Sequence, residues 1–386
     1  MNLDRKKIII IGPAYPYRGG NSLFVSHVYE ALKQEFDVKI FNYSLLYPSL
    51  LFPGKTQFDE SSTIIKKAPS ERIVNSISPI SWLKVANRII KENPDLIVFD
   101  WWHPFFAFCH FTISELIKKK FRNKILFITE NFISHEGNFI DRFLTSLGLR
   151  NASAFLVLSN IVEKELRMII KTRKIYKSEL PIYDCYKTEQ NISTDELKKE
   201  LGFAEPDKIL LFFGYVRKYK GLDLLIESFP KIKSQVPDAK LLIVGEFYDS
   251  PDNYLELIRK LNIEKDVVVV NKFVANEEVA KYYKICDLVV LPYRSATQSG
   301  ILNVAYGFNK PVMVTDVGGL AEFVINKKTG LVVKPNSPDE IANAVVEFYE
   351  LNNSVNFEEN IKEYVNKNSF GNLSIIFNQI IADSNK

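Results

Sequence analysis

The apolar positions of this chain fall into short blocks separated by stretches with helical spacing. Lys7–Ile11 is a β-branched run that stops at Gly12, the pattern of a strand buried on both faces. A glycine-containing loop, 12–20, follows, and then Leu23, Val25, Val28, Leu32 and Phe36 recur at approximately helical intervals. Further strands are predicted at 38–41, 95–99, Ile125–Thr129 and 155–159, with a helix at 82–91. Short apolar strands alternating with helices imply a parallel sheet covered on both faces.

The pattern then restarts. Residues 209–213 form a buried run ending at Gly214, 222–229 continue as a helix, and 241–244 end at Gly245. Val267–Val270, Leu288–Leu291 and Val312–Thr315 complete a second series of strands. Ser337-Pro338-Asp339-Glu340 is a helix start, with Ser as N-cap, Pro in the first turn and Glu at the capping-box position. Its apolar stripe runs through Ile341, Val345, Phe348 and Leu351. The polar stretch 184–207, with a short helix near 195–201, is the expected junction. The expected fold is α/β: a Rossmann-like domain over 1–185, a second over 186–369, and an amphipathic C-terminal helix in 370–386 able to cross back to the first. The parallel sheets of the two domains are expected to face an interdomain cleft.

Composition narrows the function. With 46% hydrophobic and 25% charged residues the chain reads as a soluble globular protein. Its first apolar run is too short for a signal-peptide core, and the stretch 105–117, interrupted by His110 and Glu115, is too short to span a bilayer. A cytoplasmic protein is therefore expected, with Cys109, Cys185 and Cys286 reduced and too scattered for a disulfide framework or a zinc knuckle. His27, His103, His110 and His135 lack the spacing of a metal-binding pair, so no metal site is expected. Charge is unevenly spread: residues 1–185 hold 26 Lys+Arg against 18 Asp+Glu, and the remainder 24 against 28. The plain reading is solvated surface. The sharper one is an anionic partner for the first half, either a phosphorylated acceptor or the inner membrane face, where the protein would sit peripherally. Nucleic acid is not expected, because no basic stripe with interleaved aromatics occurs.

Open parallel sheets bind ligands beyond the carboxyl ends of their strands. In the first half that edge carries the loop 12–20, where Gly19 and Gly20 adjoin a helix start and expose backbone N–H groups. It is neither a dinucleotide fingerprint nor a Walker loop. In the second half, Gly214-Tyr215-Val216-Arg217-Lys218-Tyr219-Lys220-Gly221 places three cations before a helix, which suits phosphate better than a merely solvated charge run. Two more loops reach the same edge. Pro292-Tyr293-Arg294-Ser295-Ala296-Thr297-Gln298-Ser299-Gly300 is rich in hydroxyls and amides, and Asp316-Val317-Gly318-Gly319-Leu320-Ala321-Glu322 has two glycines that let a ligand approach the backbone.

These loops, with Phe213-Gly214, Asp287-Leu288 to Leu291-Pro292 and Lys310-Pro311-Val312, resemble the family-4 retaining glycosyltransferases of the GT-B fold (glycosyl transferases group 1), over nearly the whole chain. The resemblance implies hexosyl transfer from a nucleotide-sugar, UDP- or GDP-linked, to a saccharide, lipid-linked or other acceptor, as in cell-surface polysaccharide or glycoconjugate synthesis. No cofactor is implied, the nucleotide-sugar being a substrate. It also implies that Arg217 and Lys220 hold the donor diphosphate, Ser299 and Gly300 give it backbone N–H groups, Gly318, Gly319 and Glu322 lie near the nucleotide, and Gly19 and Gly20 border the donor sugar.

The chain departs from the family pattern in one region. The two glutamates usual there are missing: Thr297 or Gln298 replaces the first and Asn303 or Val304 the second, while Tyr215 takes the usual arginine position and Arg217 stands two residues later. On the first domain, family members often place a sugar-contacting histidine after the strand at 95–99. Asp100 is nearest in register and His103 is the nearby imidazole, with a structural role before Pro104 as its alternative. Asp100, His103 and His135 are the catalytic candidates there, beside Arg217 and Lys220, and Glu130, His135 and Glu136 are the acceptor candidates. Trp101, Trp102 and Phe105 read equally as a stacking surface or as core. Two other readings stay open: a nucleotide-sugar epimerase of the same fold, with histidines as acid and base, and a non-catalytic nucleotide-sugar-binding subunit.

Overall fold

The computed structural model describes residues 5–52, 56–131, 139–187, 193–367 and 372–386. The chain divides into two compact units. The first comprises Met1–Asp59, Lys66–Pro181 and Phe370–Lys386, and the second Glu60–Ile65 and Ile182–Ser369.

The first unit is built on seven strands: β1 (Lys7–Ile11), β2 (Asp37–Leu45), β3 (Ser70–Asn75), β4 (Leu96–Trp101), β5 (Ile125–Thr129), β6 (Ala154–Val157) and β7 (Lys174–Lys177). They lie in the order β3-β2-β1-β4-β5-β6-β7 and every described pairing is parallel. β1, β4 and β5 are buried almost throughout because helices cover both faces of the sheet. Ile97, Phe99 and Trp101 of β4 pack with Ile9, Ile11 and Phe127 in one apolar cluster, under the helices Pro79–Glu92 and Ala107–Ile117. Strand alternation sends Asp100 to the opposite face.

The second unit carries β8 (Lys208–Phe213), β9 (Ala239–Val244), β10 (Val267–Val270), β11 (Leu288–Leu291), β12 (Val312–Thr315) and β13 (Gly330–Val333), in the order β10-β9-β8-β11-β12-β13 and again parallel. Ser337 caps the helix Pro338–Leu351 by accepting the Glu340 N–H at 3.2 Å. The short helix of the polar stretch is Thr194–Glu200, closed by a capping box between Ser193 and Glu196.

Local hydrogen bonds fix which unit each connecting segment joins. The chain passes to the second unit at Ile182, four residues ahead of Tyr186 where the sequence divides the domains. The Tyr183 N–H donates to the Asn303 carbonyl at 3.3 Å, and Gly307 leaves room for the Tyr183 carbonyl, which would stand 2.4 Å from any Cβ there. Glu60–Ile65 joins the second unit through Glu277: Oε1 accepts the Ser62 N–H at 3.1 Å and the Ser62 hydroxyl at 2.6 Å, and Oε2 accepts the Thr63 N–H at 3.3 Å. The tail helix Leu373–Ser384 belongs to the first unit, where Asp383 accepts the Tyr176 hydroxyl at 2.7 Å and pairs with Lys174 at 2.9 Å.

Trp101 is core: its ring is fully buried against Gly148, the last residue of the helix Phe139–Gly148. A Cβ at Gly148 would lie 2.3 Å from Trp101 Cζ3, whereas one at Gly20 meets no atom of the described residues within 4 Å. Gly148→Ala is expected to cost about 1–3 kcal/mol through overpacking, and Gly20→Ala to leave stability unchanged or slightly raised. Urea unfolding of the two variants against the parent checks this contrast; equal midpoints would mean that Trp101 yields without cost.

Candidate functional site

In each sheet the winding reverses at one place. From β1 the sheet grows to β2 on one side and to β4 on the other, and β8 stands in the same relation to β9 and β11. Ligands of open parallel sheets lie beyond the carboxyl ends of the strands at such a switch point. In the second unit the loops there follow β8 and β11, and in the first they follow β1 and β4.

The loop after β8 is held open by backbone bonds to the next strand. The Gly214 N–H donates to Val244 O at 2.9 Å, Val216 N–H to Glu246 O at 2.9 Å, and Tyr248 N–H to Val216 O at 3.1 Å. A short 3-10 turn, Lys218–Lys220, then ends at Gly221, whose φ of 68° opens the helix Leu222–Gln235. Arg217 lies over the Tyr248 ring, 4.8 Å from its centroid, and the Tyr215 ring packs tilted against the same ring, centroids 4.8 Å apart. A guanidinium held over a ring face can still offer paired N–H donors at its edge.

Lys220 is buried, with its ammonium 5.7 Å from the centroid of Tyr293. Gly214, at φ 100°, supplies the room: a Cβ there would stand 3.3 Å from Lys220 Nζ. Burial, reinforced by the nearby Arg217 charge, pulls the Lys220 pKa down to about 7. A cation so poorly solvated is primed for an anion that restores its charge.

The loop after β11 crosses this one. Arg294 grips both oxygens of Asp223 at 2.7 and 2.8 Å and donates to Lys218 O at 3.0 Å, fixing the two loops together. Ser299 precedes the helix Gly300–Gly307, and its hydroxyl lies 3.4 Å from the Tyr293 hydroxyl rather than on a backbone N–H of its own helix. The N–H groups of that first turn therefore have no side-chain cap. Thr297 and Ser299 are buried, and Gln298 carries a buried Oε1 with no hydrogen-bond partner among the described residues. A native buried acceptor left unpaired calls for an explanation.

After β12, Gly318 has φ 54° and lies so close to the preceding loop that a Cβ would stand 1.6 Å from Ala296 O; the Gly319 N–H donates to the same carbonyl at 3.3 Å. Glu322 is exposed on the short turn Leu320–Phe323. The second unit thus gathers Arg217, Lys220, Thr297, Gln298, Ser299, Gly300, Gly318 and Gly319 at one sheet edge. Tyr248 and Tyr293, which back Arg217 and Lys220, were not singled out by the sequence; only their place just after β9 and β11 marks them.

In the first unit, Gly19 at φ 103° turns the chain into the helix Gly20–Leu32. Among the described residues no atom lies within 4 Å of a Cβ at Gly19 or Gly20. Asn21, unremarked in the sequence, donates from Nδ2 to Glu130 Oε1 at 3.0 Å.

Asp100 is not a loop residue. β4 runs on to Trp101 because the Glu130 N–H donates to Trp101 O at 2.9 Å, so Asp100 lies inside the strand, fully buried under Gly12. His103 is exposed, and its Nδ1 accepts the Phe105 N–H at 3.1 Å, capping the 3-10 turn Pro104–Phe106. That is the structural role which the sequence offered as an alternative. Trp102 is half-buried and donates to the Tyr47 hydroxyl at 3.0 Å. His135 and Glu136 lie outside the described residues. Among the described residues no group of three metal-ligating side chains is assembled, and no helix is long and apolar enough to cross a membrane.

Comparison with known proteins agrees with this geometry. Residues 193–368 match the family "Glycosyl transferases group 1". An uncharacterized glycosyltransferase of Methanocaldococcus jannaschii, MJ1178, is 26% identical over 379 residues, 94% of either chain. The N-acetyl-alpha-D-glucosaminyl L-malate synthase of Bacillus anthracis is 26% identical over 68% of each. Among solved structures, sucrose-phosphate synthase of Thermosynechococcus elongatus superposes with a TM-score of 0.74 at 18% identity, covering 98% of this chain and 99% of that one. Anabaena HepE in complex with UDP-glucose superposes with a TM-score of 0.73 at 16% identity, covering 98% and 99%. Residues 193–368 of the chain thus match the group 1 glycosyltransferase family, and the chain's two parallel sheets are those of the GT-B fold.

Proposed function

We propose that the protein transfers a hexosyl group, with retention of configuration, from a nucleoside-diphosphate sugar to an acceptor hydroxyl. The observation that carries this reading is the cation pair Arg217 and Lys220 at the switch point of the second sheet, beside the uncapped helix start at Gly300. A departing nucleoside diphosphate develops negative charge, and fixed cations and helix N–H groups stabilise it where it forms. The bond from the anomeric carbon to the phosphate oxygen breaks, the acceptor oxygen bonds that carbon from the same face, and the acceptor proton passes to the leaving phosphate. The charge is met by side chains, so the reading assigns no metal or cofactor. The unpaired Gln298 Oε1, next to Ser299, suits a donor-sugar hydroxyl in place of the absent glutamate. A uridine or guanosine diphosphate is the proposed carrier; the structural likeness to HepE, which binds UDP-glucose, supports the former.

The acceptor side is assigned to the first unit, and we propose that this unit meets an anionic lipid surface. Phe139, Ile140 and Phe143 stand exposed on the helix Phe139–Gly148, with Arg142 exposed among them. Phe108 is exposed on the neighbouring helix Ala107–Ile117, and Lys118, Lys119 and Lys120 follow that helix's last turn. An apolar helix face bearing a cation suits an interface with anionic headgroups.

Three outcomes are expected. First, assayed for nucleoside diphosphate release across a panel of donors, the parent should turn over at least one. Arg217→Ala and Lys220→Ala should each lose about ten- to a hundredfold in kcat/KM, as for a charge-assisted contact worth about 1.5–3 kcal/mol. Full activity in both variants would remove the diphosphate assignment. Second, a bound diphosphate favours charged Lys220 and so raises its pKa, making binding take up a proton near and above pH 7. Calorimetry should therefore find nucleoside diphosphate affinity falling from pH 7 to pH 9 in the parent but flat in Lys220→Arg. Third, co-sedimentation with phosphatidylglycerol vesicles should weaken with salt and drop severalfold in Phe139→Glu/Phe143→Glu; retention by that variant would rule out this face.

A further inference from the structure

The ladder between β8 and β9 runs past the ends of both strands. Val216 and Phe247 pair as one further parallel rung, with the Val216 N–H on Glu246 O at 2.9 Å and the Tyr248 N–H on Val216 O at 3.1 Å. Arg217 is still extended, at φ −137° and ψ 151°. Side chains therefore alternate here as they do in a strand. Val216 points inward and is fully buried, which turns Tyr215 and Arg217 together to the other face. The same rung sets Arg217 beside Tyr248, the residue after Phe247.

The side-chain contacts follow that register. The Arg217 guanidinium carbon lies 4.8 Å from the centroid of the Tyr248 ring. Tyr215 packs against the same ring, with centroids 4.8 Å apart and planes inclined at 33°. One tyrosine braces the ring, and the ring carries the cation. Among the described residues the Arg217 guanidinium meets no carboxylate, unlike that of Arg294, which both oxygens of Asp223 engage. Arg217 is exposed, and a long exposed side chain held by nothing has rotamer freedom to lose on binding. A ring face restrains the guanidinium plane without occupying its N–H donors. A carboxylate in the same place would take up both the charge and the donors. The two-residue displacement of the arginine seen in the sequence also keeps it on one face, because side chains repeat every second residue along extended chain.

We propose that Tyr248, braced by Tyr215, is a positioning residue for the donor diphosphate: its ring holds the Arg217 guanidinium in place, with charge and N–H donors left for the phosphate oxygens. Tyr248 acts through Arg217 rather than on the ligand. Pre-ordering a side chain in its bound conformation strengthens binding by removing an entropic cost. This role rests on Arg217 being a diphosphate contact, as proposed above, but the ring contact itself is measurable without any ligand.

Two measurements test this. Calorimetric titration with uridine diphosphate, and separately with guanosine diphosphate, reads the positioning. Tyr248→Leu keeps an apolar side chain but removes the ring face. It should weaken whichever diphosphate the parent binds by about two- to fivefold, the worth of a guanidinium over an exposed ring. Tyr248→Phe keeps the face and should restore most of that affinity. In an Arg217→Ala background Tyr248→Leu should cost nothing further, because a residue that acts through another is not additive with it. Equal losses in both backgrounds would show that Tyr248 acts through the fold alone, and parent affinity in Tyr248→Leu would overturn the role outright. Arginine side-chain NMR reads the ring contact. An aromatic ring shields protons above its face, so the Arg217 Nε–H resonance, identified as the one lost in Arg217→Ala, should move downfield in Tyr248→Leu but not in Tyr248→Phe. A resonance unmoved in both would mean that the ring does not hold the guanidinium. If the parent binds neither diphosphate, or Arg217→Ala binds as the parent does, the diphosphate reading fails and the positioning role with it, while the resonance still decides the contact.

Discussion

The candidate donor site depends on backbones that touch. At the carboxyl edge of the second sheet, Gly245 lies against Gly214 O, Gly221 against Pro292 O and Gly318 against Ala296 O, at separations where a Cβ would stand 2.1, 2.1 and 1.6 Å from those oxygens. All three have positive φ. A side chain at any of them would be strained in conformation and would collide with main chain, which cannot swing aside as a side chain does. The glycines therefore pack the loops after β8, β9, β11 and β12 into one layer. Arg217, Lys220, Gln298 and Ser299 keep their mutual places because that layer cannot spread.

Packing of this kind exposes the site's polar groups to an unfavourable environment. Among the described residues, Lys220 is pressed over Tyr293 with no carboxylate to pair it, and Gln298 Oε1 has no donor. In the first unit Glu130 accepts from Asn21, and neither buried Asp100 oxygen has a hydrogen-bond partner among the described residues. Buried polar groups ordinarily find partners, because an unpaired one carries its full desolvation cost. Among the groups left without full compensation, Lys220, Gln298 and Asp100 stand at the switch points of the two sheets, where ligands of open parallel sheets bind. A ligand supplying the missing partner recovers that cost on binding, which is how a site favours phosphate or hydroxyl over water. Other charged groups of the second unit are paired: Arg294 meets Asp223 on both oxygens, and Asp266 meets both Lys233 and Lys240.

How far the sequence carries depends on where a residue sits in the sheet. Central strands β1, β5, β8, β11 and β12 are buried on both faces, so an apolar run marks them, bounded by glycine or proline at β1, β8, β11 and β12. β3, β7 and β13 went unread, and all three are sheet edges. An edge strand has one neighbour and a solvated side; Lys-Ile-Tyr-Lys at β7 and Ser-Glu-Arg-Ile-Val-Asn at β3 show no apolar run to read. The loop residues were legible for a related reason. Glycines, cations and hydroxyls directly after an apolar run must lie at the carboxyl edge of a parallel sheet.

By itself, then, the sequence determined the repeated strand and helix grammar, the parallel sheets, and the loops that carry the candidate donor chemistry, because these follow from local periodicity and turn residues. Only the tertiary structure decided that Asp100 lies inside β4 under Gly12 rather than in a loop, that Trp101 is core against Gly148, and that His103 caps a turn. It alone returned the tail helix to the first unit through Asp383 and tied Glu60–Ile65 to the second through Glu277. Each of these rests on partners far apart in the chain, on strand ladders that lengthen by a residue, or on side chains that pack against a distant backbone. None of them leaves a periodic trace along the sequence.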